Sequence, residues 1–175
     1  MTITKSDIAS AEKLKACCPA LAWLRAAPRT MRELVNKNRE WARWIIRYAP
    51  DPWAARAWAA LSPRAENYDL REIILWAPEP WPARAWKALL PRADNLDLRR
   101  IIAYAPEPWA SRAAEVLLPR AANFDLRAII LWAPEPWPAR AWKALLPRAD
   151  NLDLRAIIRW APEPWKSKAR AVLAL

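Results

Sequence analysis

Short apolar stripes cut off by prolines recur along this chain. In "DLREIILWAP", residues 69–78, the apolar side chains Leu70, Ile73, Ile74 and Ala77 fall at i, i+3, i+4 and i+7, one face of a helix. Asp69 is a favourable N-cap and Glu72, three residues on, can close a capping box, so the spacing predicts a helix of about two turns that Pro78 ends. The next stretch, "EPWPARAWKALLP", predicts a second helix. Pro80 suits its N1 position and Pro82 its first turn, Trp81, Ala85, Ala88 and Leu89 form the inner stripe with Trp86 and Leu90 beside it, and Pro91 stops it. "RADNLD" must then reverse the chain without glycine, which the sequence lacks, and Asn95 is expected to do so in a left-handed conformation, as are Asn67, Asn123 and Asn151.

The same pattern returns every 28 residues, aligning Ile45, Ile73, Ile101, Ile129 and Ile157. At twice that shift, residues 73–99 recur letter for letter as residues 129–155, so two repeat flavours alternate. Neither helix of a unit can bury its stripe alone, and stacking of units supplies the missing partner. The expected fold is therefore all-α: an α-solenoid of right-handed type, built from two-helix repeats over residues 42–69, 70–97, 98–125, 126–153 and 154–175, continuous as one domain with a helical N-terminal cap over residues 1–41. Within the cap, helices are expected over residues 10–18 and 20–26, followed by a capping box from Thr30 to Glu33. The indole row Trp53, Trp81, Trp109, Trp137 and Trp165 is assigned to the core, together with the aromatics Tyr48, Trp76, Tyr104, Trp132 and Trp160. Arg47 and Arg159 replace Leu75, Ala103 and Leu131 in the first and last repeats, the polar substitution that capping repeats need.

Leu70, Arg71, Ile74, Pro78, Pro80, Trp86 and Leu89, within "LRxIIxWAPEPWPARAWKALL", give residues 42–175 a pattern that resembles the leucine-rich repeat variant family and, more broadly, HEAT-like helical arrays. The resemblance implies a short first helix, a proline elbow and a second helix per unit. The period here is longer than that family's, and its iron–sulfur cysteine cluster has no counterpart beyond Cys17 and Cys18.

Composition narrows the chemistry. Of 175 residues, 55% are hydrophobic and 27% charged, which suits a packed protein rather than a disordered one. "MTITKSDIAS" lacks the order of a signal peptide and no apolar run reaches the roughly 20 residues of a membrane span, so a cytoplasmic chain is expected. With no histidine and two adjacent cysteines, expected as buried reduced thiols, neither a metal site nor a cofactor is called for. No nucleophile–base pair or glycine-rich phosphate loop breaks the repeat, which argues against an enzyme.

The net charge of +11 sits mostly at the ends, +4 on residues 1–41 and +4 on residues 154–175. Three cationic rows run through the repeats: Arg43, Arg71, Arg99, Arg127 and Arg155; Arg56, Arg84, Arg112, Arg140 and Lys168; Arg64, Arg92, Arg120 and Arg148. Interleaved rows of acids, Asp69, Asp97, Asp125 and Asp153 among them, are placed to pair with these cations between repeats. The expected function is a scaffold binding a protein or peptide through the solenoid surface. Candidate contacts are Arg56, Arg84, Lys87, Arg112, Glu115, Arg140, Lys143 and Lys168 on second helices, with the variable slots Trp44, Glu72, Arg100, Ala128 and Ala156 on first helices. The alternative is nucleic-acid binding along the arginine rows, and a third reading is an engineered or recently expanded repeat with no evolved ligand.

Overall fold

From the second repeat onward, the first helix starts two residues before the aspartate expected to cap it. In the computed structural model, which describes residues 2–174, these helices begin at Asn67, Asn95, Asn123 and Asn151. Residues 66, 94, 122 and 150 are extended N-caps, and Asp69, Asp97, Asp125 and Asp153 sit at N3. From N3 each carboxylate reaches back to the N-cap N–H, as in Asp69 with Glu66 (3.0 Å) and Asp125 with Ala122 (3.1 Å). Where the N-cap is itself aspartate the bond is reciprocal: Asp97 N–H donates to Asp94 and Asp153 N–H to Asp150, both at 2.7 Å.

The asparagines accordingly are not left-handed. Each chain reversal is made by a single 3-10 turn, such as Ser62–Arg64 or Leu118–Arg120, whose proline has the φ the turn requires, followed by an extended alanine (Ala65, Ala121, Ala149) and the N-cap. Among the described residues only Lys15, at φ 58°, enters the left-handed region, where it turns the chain between two cap helices.

The prolines of the elbow also shift by one place. Pro52, Pro80, Pro108, Pro136 and Pro164 are N-caps of the second helices rather than N1, each follows a cis peptide bond, and Pro82 and Pro138 lie in the first turn. The following tryptophan donates its N–H to the first proline's carbonyl, as Trp81 does to Pro78 at 3.1 Å.

Thirteen α-helices and no β-strand form among the described residues, in two compact units. The unit Met1–Arg92 holds the cap helices α1 (Lys5–Lys13), α2 (Cys18–Ala26) and α3 (Met31–Lys37) and the hairpins α4 (Arg39–Tyr48)/α5 (Trp53–Leu61) and α6 (Asn67–Trp76)/α7 (Trp81–Leu89). There α3 packs on both α4 and α5, and α4 lies against α6. The first cap helix lies five residues earlier than expected, the second starts two residues early but ends at Ala26 as expected, and the Thr30–Glu33 capping box forms as the sequence implies.

The unit Ala93–Leu175 holds α8 (Asn95–Tyr104)/α9 (Trp109–Leu117), α10 (Asn123–Trp132)/α11 (Trp137–Leu145) and α12 (Asn151–Trp160)/α13 (Trp165–Leu173), with α10 packed against α8 and α12. The helical repeat of 28 residues is thus present in both units. The hairpins bury the centre of the stripe read from sequence, as Leu98, Ile101 and Ile102 on α8 and Trp109, Ala113 and Leu117 on α9 do, while its last alanine (Ala77, Ala105, Ala133) is half-buried and the last hairpin leaves Ile158 and Leu173 half-buried as well.

Candidate binding surface

The indole row of the second helices is core. Trp53, Trp81, Trp109, Trp137 and Trp165 are all at most 4% exposed. The second aromatic row is not: Tyr48, Trp76, Tyr104, Trp132 and Trp160 are 46–66% exposed. At 100° per residue, Trp76 stands well over 90° from the stripe centred on Leu70, Ile73 and Ile74, so helical geometry turns it outward. With it come Tyr68, Leu96, Phe124 and Leu152, exposed apolar residues to which the sequence reading gave no role. Their signal was the spacing Tyr68–Glu72–Trp76, Leu96–Arg100–Tyr104 and Phe124–Ala128–Trp132, i, i+4, i+8, a second stripe opposite the first.

Two cationic rows fasten neighbouring repeats. Arg43 pairs with Asp69, Arg99 with Asp125 (3.2 Å) and Arg127 with Asp153 (3.0 Å), each carboxylate being almost fully buried. Asn95 donates to Asp125 at 2.8 Å and Asn123 to Asp153 at 2.7 Å, so one aspartate joins a helix cap, an arginine and an asparagine of the preceding repeat. This satisfies the lone pairs that burial would otherwise leave unmet. Arg92, Arg120 and Arg148 donate to the carbonyls of Ala65, Ala93 and Ala121, at 2.6, 3.2 and 2.6 Å.

The remaining row divides. Arg56 is only 15% exposed, bonded to Asp7 (3.0 Å) and to the Thr2 carbonyl (2.6 Å), so it ties the cap to α5 and does not present itself to a ligand. Arg84, Arg112, Arg140 and Lys168 are exposed, with the charge 4.8, 4.6, 4.9 and 4.1 Å from the ring of the tryptophan one turn earlier. Lys87, Glu115 and Lys143 are exposed on the same helices. Cys17 and Cys18, expected inside, are exposed free thiols: the chain enters α2 at Cys17, and the buried face of α2 is taken by Ala20 and Leu24.

The first-helix faces carry a groove in each unit. In the unit Ala93–Leu175 a groove of about 590 Å³ has Ala103, Ala128, Leu131 and Ala156 among its apolar lining, beside Tyr104, Phe124 and Trp132, and three arginines, Arg99, Arg100 and Arg127. No acid lines it. In the unit Met1–Arg92 the corresponding groove, about 210 Å³, is lined by Arg43, Arg47, Tyr48, Tyr68 and Trp76 with Glu40 and Glu72, so its charge is mixed. The variable first-helix slots all fall in these grooves: Trp44 and Glu72 in one, Arg100, Ala128 and Ala156 in the other. The described helices include none long and apolar enough to cross a membrane. No protein-family model, curated protein or solved structure matches the chain.

Proposed function

We propose that this chain is a non-catalytic scaffold that binds a protein segment along its first-helix faces. The groove of the Ala93–Leu175 unit carries the reading, because exposed Tyr104, Phe124 and Trp132 rise beside an apolar lining that no other described part of the unit covers. Aromatic anchors in such a setting supply most of the energy of protein recognition. Arg100 lies in the groove with only the Tyr104 ring, 5.9 Å away, as a partner among the described residues, so the favoured segment is acidic with apolar side chains. The proposal includes an architecture akin to leucine-rich repeat variant and HEAT-like arrays and a reducing, cytoplasmic setting, which the two free, exposed thiols suit.

Selection of a random peptide library on the protein tests this. Enriched sequences should combine Asp or Glu with Trp, Phe or Leu, and should fail to bind a Phe124→Ser/Trp132→Ser variant that melts like the parent. Peptides that ignore those two changes would remove the groove from the proposal.

Arg112, Arg140 and Lys168 favour a second reading, nucleic-acid binding, since all three are exposed and have no acidic partner among the described residues. Reversing the three to glutamate would then flatten the slope of log affinity against log salt by about 0.7–0.9 per lost phosphate contact. Oligonucleotide binding that is weak and collapses near physiological salt in the parent would set this reading aside.

A further inference from the structure

Identical residues meet different partners in two repeats. Residues 95–99 and residues 151–155 both read "NLDLR", and each stretch opens a first helix, α8 or α12, behind an aspartate N-cap. In the earlier copy the polar side chains are engaged by the next repeat: Asn95 donates to Asp125 at 2.8 Å and Arg99 pairs with it at 3.2 Å. Asn123 and Arg127 hold Asp153 in the same way. Asn151 and Arg155 have no acceptor among the described residues, and both are exposed. The donor half of the joint is thus present on α12 without an acceptor half.

The occupied joints define what completes it. In those at Asp69 and Asp125 the carboxylate stands at N3 of a helix, bonded to the N-cap N–H, and the residue before it is an aromatic under the same arginine. Arg43 lies 4.7 Å from the Tyr68 ring and Arg99 4.7 Å from the Phe124 ring. Beside Arg155 on α12 is Ile158, half-buried where its counterpart Ile130 is fully buried, so apolar surface adjoins the donors. The same hairpin carries Arg159, Lys166, Lys168 and Arg170, and residues 154–175 sum to +4, which favours an acidic partner. A second copy of this chain is a poor source of the acceptor. Asp69, Asp97, Asp125 and Asp153 are each buried, and α4 carries Trp41 at N3.

We propose that the α12 face binds another protein through a helix whose first turn carries an aromatic residue followed by aspartate. That aspartate, at N3, accepts from Asn151 and Arg155, and the aromatic ring lies against the Arg155 guanidinium. Neither donor lines the groove around Arg100, so the two surfaces are separable by mutation.

The probe is an acetylated peptide of residues 121–132, which is α10 with its N-cap. A lactam between Ala128→Glu and Trp132→Lys on its outward face holds it helical, since so short a helix is marginal alone. Titrated into the ¹⁵N-labelled full chain, it should shift the Asn151 side-chain amide and Arg155 Nε–H signals saturably, these being assigned through Asn151→Ala and Arg155→Ala. Asp125→Asn in the peptide should weaken binding about tenfold or more, the worth of a hydrogen bond to a charged group. The protein variant Asn151→Ala/Arg155→Ala should melt like the parent and show no preference between the two peptides. Phe124→Ser/Trp132→Ser in the protein, or Arg100→Glu if that pair prevents folding, should leave the preference intact, so the fate of the groove is read separately. Unmoved Asn151 and Arg155 signals, an aspartate preference that survives the double alanine variant, or binding lost with the groove would overturn the proposal.

Discussion

Two tryptophans five residues apart, Trp132 and Trp137, show how position rather than residue type sets the role of an indole. Trp137 is 3% exposed and packs in the α10/α11 hairpin, so Trp137→Ala should cost about 3–5 kcal/mol in denaturant unfolding, the range for large-to-small aromatic changes in packed interiors. Trp132 is 66% exposed, and Trp132→Ala should shift stability by no more than about 0.5 kcal/mol while weakening any peptide held in the groove. Equal destabilisation by the two would contradict the division into a core row and a surface row. Glu163 offers a smaller test. The Ser167 hydroxyl (2.8 Å) and N–H (3.2 Å) donate to it and hold its carboxyl below the ordinary glutamate value. A carboxyl depressed by folding contributes stability above its unfolded value and loses it as pH falls through the folded one. Ser167→Ala should therefore raise the Glu163 titration midpoint, measured by carboxyl-carbon NMR.

Among elements, the joint between consecutive first helices depends on one buried aspartate. Asp125 accepts from Ala122 N–H, Asn95 and Arg99 at once, so it caps α10 and ties it to α8. Asp125→Ala removes a cap, worth about 1 kcal/mol, and leaves Arg99 without its charge partner. Arg99 keeps some solvent access, which limits that second loss, and the sum expected in urea unfolding is about 2–4 kcal/mol. Arg99→Ala should cost less, because Asp125 retains two donors. The reverse order would mean that the pair, and not the cap, dominates the joint. The pairing of arginine with aspartate between repeats was readable from the interleaved rows; the N3 position of the aspartate was not. Asp and Asn both suit N-caps, and only the path out of the 3-10 turn decides which residue is reached first.

For the whole molecule, the identity of residues 73–99 with residues 129–155 makes a deletion informative. Removing residues 70–125 joins Asp69 to Leu126 and offers Trp58 the same sequence around Trp137 that it meets around Trp81. The shortened chain should keep its helical circular dichroism and unfold cooperatively at a lower temperature, having lost nearest-neighbour interfaces; loss of helical signal would sink the repeat assignment. The sequence by itself determined the all-α class, the period, the buried stripes and the core indole row, because helix periodicity and proline punctuation are local properties that repetition averages over several copies. Tertiary structure decided three things that local pattern could not. It left the second aromatic face, with Trp76, Tyr104 and Trp132, uncovered: helical spacing separates that face from the buried stripe, but only packing decides whether a neighbour covers it. It drew Arg56 away from the exposed cationic row of the second helices to Asp7, a partner 49 residues distant in the irregular cap. It left space beside Trp53, where a cap that does not follow the repeat meets a repeat that does, and the fit between those two surfaces is written in neither pattern alone.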